Sequence, residues 1–152
     1  MSVVILYGSE TGTAEVVADS ISDVLSQKHD VSMYDMTDFA VEDLSPDDFY
    51  VVVCSTYGDG ELPTGAEPFA EGLDDEQPNL EGLRFALFGL GDSVYDDTFN
   101  RGGELMAEKL TDLGATQVGE HGRHDASSKV SAKVQSAEWA EEISPLITPA
   151  LR

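Results

Sequence analysis

Residues 7–15 read YGSETGTAE and follow directly on the apolar run Val3–Val4–Ile5–Leu6. A chain leaving a buried strand for a helix needs a glycine to turn and one hydroxyl to cap the new helix. Here Ser9, Thr11 and Thr13 crowd in with Gly8 and Gly12, which is more than a turn requires. A helix N-terminus presents free N–H groups and a partial positive charge, hydroxyls add donors, and Gly12 lets the backbone approach closely. That set suits a phosphate. The loop contains no Lys or Arg, so the anion would be held by neutral dipoles with its charge largely uncompensated. A plain helix cap at Thr11 or Thr13 accounts for the same residues, and from this loop alone the two readings stand level. No Gly-Lys-Ser/Thr follows the glycines, so a Walker A loop is excluded.

Two further loops carry exposed-type aromatics. STYGDGELP sets Tyr57 just past the apolar run FYVVVC, with Gly58 and Gly60 beside it, so backbone can lie close to a flat ring. GLGDSVYDDTFN supplies Tyr95, with Phe99 after it. Gly89 and Gly91 fail as a dinucleotide fingerprint because position 94 is Val. Two aromatics meeting at one place can sandwich a planar heterocycle. A phosphate cradle beside them describes a flat mononucleotide, and the constellation is far more specific than any of its parts.

The elements that must position these loops follow from periodicity. Val3–Tyr7 and Phe49–Cys54 are unbroken apolar runs, the mark of strands buried on both faces. Val31, Met33 and Tyr34 suggest another strand, Phe85–Phe88 a fourth, and Ala115–Val118 the last. Val17, Ile21, Val24 and Leu25 recur at helical spacing, and a short helix is expected near Ala66–Leu73 with Pro68 in its first turn. Leu105, Met106, Leu110 and Leu113 mark a helix that Gly114 ends. Trp139, Ile143, Leu146 and Ile147 mark a final one, which Pro145 kinks or restarts. Residues 37–48 read as a loop or short helix. Five strands alternating with helices predict an α/β domain over residues 1–152, an open parallel sheet covered on both faces. Ligands of such sheets sit at the carboxyl ends of strands, where the strand order reverses. The three unusual loops follow strands one, three and four.

GSETGTAE, STYGDG and FGLGDSVYDDTFN, in that order, resemble the flavodoxin family over nearly the whole chain. The chain is most similar to small stand-alone, short-chain flavodoxins of the MioC and YqcA kind and to the FMN domains of diflavin reductases. The resemblance implies a flavodoxin-like three-layer sandwich with strand order 2-1-3-4-5 and FMN at the switch between strands one and three. It implies that Ser9, Glu10, Thr11, Gly12, Thr13 and Ala14 wrap the FMN phosphate. Tyr57 and Tyr95 would stack on opposite faces of the isoalloxazine, and Ser55, Thr56, Gly58, Asp59 and Gly60 would border it through their backbones. Leu90, Gly91, Asp92, Phe99 and Asn100 would complete the ring and ribityl pocket. Leu62 and one extra residue before Phe99–Asn100 depart from the diflavin pattern, and Asp125 is a further candidate contact.

The resemblance also implies a function: a low-potential, one-electron carrier between an NAD(P)H-dependent flavoprotein reductase and an acceptor enzyme with a basic docking face. An FMN-dependent oxidoreductase on the same fold, such as a quinone reductase, is the alternative; it would need a substrate cavity beside the flavin. Low potential has a physical reason here. The reduced flavin is an anion, and Asp59, Glu61 and Asp92 would surround it. One charge at about 8 Å and an effective dielectric of about 20 costs roughly 2 kcal/mol, or about 90 mV.

The totals narrow the rest. Only Cys54 is present, so an intrachain disulfide and a cysteine-held metal are excluded. His29, His121 and His124 show no ligand spacing and are expected at the surface, His124 near the flavin edge. No apolar stretch approaches the roughly 20 residues of a membrane span, and the N-terminus has no signal-peptide pattern. A cytoplasmic monomer is expected. Net charge is −22, with 30 acids against 8 Lys and Arg, which disfavours nucleic acid and anionic membranes as partners. The acidity fits adaptation to high salt and steering toward a basic protein equally well. Screening shortens from about 10 Å at 0.1 M salt to about 3 Å at 1 M, so self-repulsion fades across that range. The melting temperature is therefore expected to rise steadily with KCl, followed by circular dichroism; a flat profile would show that the charge does not burden the fold.

Overall fold

The computed structural model describes residues 3–8, 13–45, 47–55, 66–91, 101–119, 122–125 and 131–147. In chain order the elements are β1 (Val3–Gly8), α1 (Thr13–Leu25), β2 (Val31–Asp35), β3 (Phe49–Ser55), α2 (Glu67–Glu76), β4 (Arg84–Gly91), α3 (Arg101–Asp112), β5 (Thr116–Gln117), β6 (Gly122–Asp125) and α4 (Ala132–Ile143). Single 3₁₀ turns occupy Met36–Asp38, Val41–Asp43 and Ser144–Leu146. Pro145 thus starts a new turn after α4.

The unbroken apolar runs do form the strands buried on both faces. Val3, Ile5, Phe49, Val51, Val53, Ala86, Phe88 and Leu90 point to one side, where they meet Ala14, Val17, Ala18, Ile21 and Leu25 of α1 and Trp139, Ala140 and Ile143 of α4. Val4, Leu6, Tyr50, Val52, Cys54, Phe85 and Leu87 point to the other, against Phe69, Ala70 and Leu73 of α2 and Met106, Ala107 and Leu110 of α3. Full burial of one such large apolar side chain stabilises by about 1.5–3 kcal/mol. All pairings are parallel and the order is β2-β1-β3-β4-β5, as expected.

Three boundaries differ from the periodic reading. α2 runs on to Glu76, past Leu73, because its last turn is acidic and carries no apolar signal. Gln77 closes it in the left-handed region (φ 43°), its N–H donating to the Leu73 carbonyl at 3.1 Å. β4 begins at Arg84 and extends to Gly91. The fifth sheet position is split: β5 pairs only with Arg84 and Phe85, and β6 then runs beside Phe88–Gly91. The expected strand Ala115–Val118 covers only the first piece. Gly114, at φ +110°, ends the α3 segment as expected, in a conformation that side chains resist.

Gly122 shows why β6 has the sequence it has. A Cβ there would collide with Phe88 Cδ2 and lie 2.8 Å from Trp139 Nε1, because the indole lies across the strand. Trp139 and Phe88 meet edge-on, with centroids 5.3 Å apart at 63°. Gly122→Ala should therefore overpack the core and destabilise by about 1–3 kcal/mol. Urea unfolding reads this as a lower midpoint at unchanged slope; an unchanged midpoint would contradict the packing.

Candidate functional site

The chain leaves β1 into α1 on one side of the sheet and leaves β3 toward α2 on the other. β1 and β3 are neighbours, so the crevice between these exits opens at their carboxyl ends. Gly8, Cys54 and Gly89 lie in one register row there, followed by Ser55 beside Leu90. Leu90 and Gly91 in turn pair with His124 and Asp125. Glycine and serine thus line the outer ends of β1, β3 and β4.

The structure sets the strand ends that lead into the three unusual loops side by side, Gly8 beside Cys54 and Ser55 beside Leu90, with Ala66 against Gly8. Of the expected contact residues, Thr13 and Ala14 open α1, Ser55 closes β3, and Leu90 and Gly91 close β4. Ala14 is fully buried with its methyl in the core, so it can offer a ligand only its backbone. The same holds for Leu90, whose side chain packs with the α1 and α4 residues. Ser9, Glu10, Thr11, Gly12, Thr56, Tyr57, Gly58, Asp59, Gly60, Asp92, Tyr95, Phe99 and Asn100 lie outside the described residues.

Below the crevice the packing is tight. A Cβ on Gly8 would lie 2.6 Å from Ala66 Cβ and 2.9 Å from Met36 Sδ. The end of β1, the start of the α2 segment and the turn after β2 are therefore in direct contact. That turn is itself held. Thr37 donates from both its N–H and its hydroxyl to Asp35 Oδ1 at 2.9 Å, and the Ser45 N–H donates to the Tyr50 hydroxyl at 2.8 Å.

The local field is negative. Tyr7, the residue before Gly8, has its hydroxyl pKa raised, by burial first and then by the carboxylates of Glu15, Asp35, Asp38 and Asp19. Burial alone pushes the Cys54 thiol up to about 12, so it is an inert core group, as its apolar run implied. His124 is a correction: at 8% exposure it is buried, because β6 sets it beside Leu90 in the sheet. No apolar alternation in Gly122–Asp125 announces that strand. His29 lies beyond α1, with Nε2 3.3 Å from Ser144 Oγ. Among the described residues no group of His, Cys, Asp and Glu could hold a metal, and no helix is long and apolar enough to cross a membrane.

The family model described as Flavodoxin matches residues 5–139. The chain belongs to the flavodoxin family. It is 38% identical to an uncharacterised protein of Pseudomonas aeruginosa over 93% of this chain and 95% of that one. A cysteine-to-alanine variant of the flavodoxin from Pseudomonas aeruginosa superposes with a TM-score of 0.85 at 36% identity, covering 95% of this chain and 97% of that one. The NADPH-dependent diflavin oxidoreductase 1 of Schizosaccharomyces pombe is 35% identical over 91% of this chain, which spans only 24% of that longer protein. Flavodoxins carry electrons, and FMN is the cofactor of the family.

The residues present fit FMN. The α1 N-terminus, with no Lys or Arg anywhere in the helix, faces a crevice edged by Gly8, Ser55, Gly89 and Gly91. Neutral backbone donors and small side chains suit a phosphate and a flat ring. Because Gly8 packs against Ala66 and Met36 at the end of β1, Gly8→Ala should destabilise the fold by about 1–3 kcal/mol and weaken FMN binding at the same time. Thermal melts and FMN fluorescence titrations test the pair. Unchanged FMN affinity in a destabilised variant would uncouple cofactor binding from this contact.

Proposed function

We propose that the chain is a low-potential FMN-binding electron carrier working in single-electron steps. It receives electrons from an NAD(P)H-dependent flavoprotein reductase and passes them to an acceptor enzyme with a basic docking face. The observation that carries this reading is the convergence of Gly8, Ser55 and Gly91 on one crevice where the strand order reverses. Bound FMN supplies reversible redox chemistry that accepts one or two electrons.

The chain's own residues set where that chemistry sits and how hard it is to reduce. Thr13 and Ala14, with Ser9, Glu10, Thr11 and Gly12 before them, would hold the phosphate by N–H and hydroxyl groups. Tyr57 and Tyr95 would flank the ring and keep water from its faces. Ser55, Thr56, Gly58, Asp59 and Gly60 would border it, and Leu90, Gly91, Asp92, Phe99 and Asn100 would complete the pocket. Gly58 follows the first aromatic, and a glycine there would let the peptide beside the ring change its dihedral angles at little conformational cost.

Four carboxylates already act on Tyr7 at the end of β1, where burial and their field oppose a further negative charge. A negative charge added at this edge would meet that field, and the first loop contains no Lys or Arg to offset it. Similarity to a diflavin oxidoreductase domain supports a reductase as donor, and the −22 net charge supports a basic acceptor face.

The test is FMN titration of the apoprotein, followed by potentiometry. Tight one-to-one quenching of FMN fluorescence, with riboflavin weaker by about tenfold or more, is expected if the phosphate is gripped. Asp59→Asn, Glu61→Gln and Asp92→Asn should each raise the lower potential, by on the order of 90 mV for a charge about 8 Å away, and the triple variant by more than any single one. A chain that ignores FMN would defeat the reading, and unchanged potentials would remove its electrostatic part.

A further inference from the structure

A recess of about 200 Å³ lies between α2 and the segment of 3₁₀ turns after β2. Its lining includes Met36, Phe39, Val41 and Phe69, and Glu42 and Glu76 bring carboxylates to it. Met36, Val41 and Phe69 are buried, and the Phe39 and Phe69 rings meet at 6.4 Å with a 50° tilt. The recess therefore joins an aromatic floor to a negative rim. Glu42 and Glu76 are both exposed and line the same recess, and the Glu42 carboxyl, through side-chain hydrogen bonding first, raises the Glu76 pKa. Two carboxylates that face one recess repel each other unless a proton or a cation comes between them. Among the described residues neither stands in an ion pair; the cation Lys109 on the same side is held instead by Asp74 at 2.8 Å.

The surroundings extend the demand for positive charge. Nineteen of the 30 acids but only one of the 8 Lys and Arg precede residue 84. Those residues build β1, α1, β2, the 3₁₀ turns, β3 and α2, so the half of the molecule that holds the recess is the strongly acidic half. Asp38, Asp43, Glu71 and Asp75 share its elements. A lone small cation would use none of the aromatic floor, and an apolar ligand would leave the carboxylates unanswered.

We propose that this recess receives one arginine side chain from the basic face of a protein partner, seating the partner next to the electron-transfer crevice. A guanidinium is planar, weakly hydrated and permanently charged, so it can stack on an aromatic floor while its fork engages two carboxylates. The lysine ammonium is a strongly hydrated point charge and does neither as well. The position suits a carrier. Met36, in the lining, also approaches Gly8 at the end of β1, and α2 begins directly after the loop that holds Tyr57. The inference deepens the carrier reading and rests on it only for the partner being a redox protein.

The test is a titration of the full, isotope-labelled chain with N-acetyl-arginine amide, followed by two-dimensional amide NMR at low salt. N-acetyl-lysine amide and the neutral N-acetyl-citrulline amide serve as comparators. FMN loading is read separately by absorbance, so a failure of the carrier reading would not be mistaken for a failure here. Saturable shifts confined to residues 36–42 and 67–76 are expected, with arginine binding more tightly than both comparators. Glu42→Gln with Glu76→Gln should weaken it by about tenfold, and the exposed position of both side chains should preserve the spectrum's dispersion. Phe39→Leu, a second variant, should lower the preference for arginine over lysine. Shifts spread over the whole acidic surface, equal binding of the lysine probe, or indifference to the double substitution would each overturn the proposal.

Discussion

Burial of the central strands on both faces is the constraint on which the rest of the structure depends. Val3–Leu6, Phe49–Cys54 and Phe85–Leu90 direct apolar side chains to both sides, and the helices close over them. Nothing polar can then be presented from the face of the sheet, so any chemistry must gather where the strands end. Parallel connection makes all of those ends meet at one edge. The order β2-β1-β3-β4-β5 sends the exits of β1 and β3 to opposite layers and opens a crevice between them. The glycines and serine at that edge, and the Gly8 contact with Ala66 and Met36 beneath it, follow from the need to bring loops close without bulk.

Much of this was legible in the amino-acid sequence, for definite reasons. A strand buried on both faces writes itself as an unbroken apolar run, and α1 writes itself as Val17, Ile21 and Leu25 on one stripe. The order of the sheet came from the motifs, through resemblance to a family, and not from periodicity. What escaped had no apolar signal. β6 is Gly-Arg-His-Asp, a strand whose glycine is dictated by the Trp139 indole and whose histidine is buried by its place beside Leu90. The acidic last turn of α2 was invisible for the same reason, and with it the meeting of Glu76 and Glu42. Tertiary contact decided these positions, and a linear pattern carries no record of it.

Of the contact residues expected from the motifs, those that fall on described strands and helices lie at the crevice. Ala14 and Leu90 illustrate a distinction that sequence cannot draw. Each sits at the right end of its element, yet each has its side chain in the core, so only backbone remains for a ligand. The edge at the end of β1 lies under the field of Glu15, Asp19, Asp35 and Asp38, which raises the Tyr7 pKa after burial. Such a field would oppose a further negative charge there, and in the proposed carrier it would lower the potential and favour a basic partner.

The most direct test of the account is stepwise anaerobic photoreduction of the FMN-loaded protein, followed in the visible spectrum against reference dyes. Two resolved one-electron steps are expected, the second at low potential, from a protein that is yellow as purified or after adding FMN. A single two-electron step would contradict the carrier reading and favour an FMN-dependent oxidoreductase on this fold. A chain that stays colourless in excess FMN would mean that the hydroxyl-rich loop after β1 is only a helix cap.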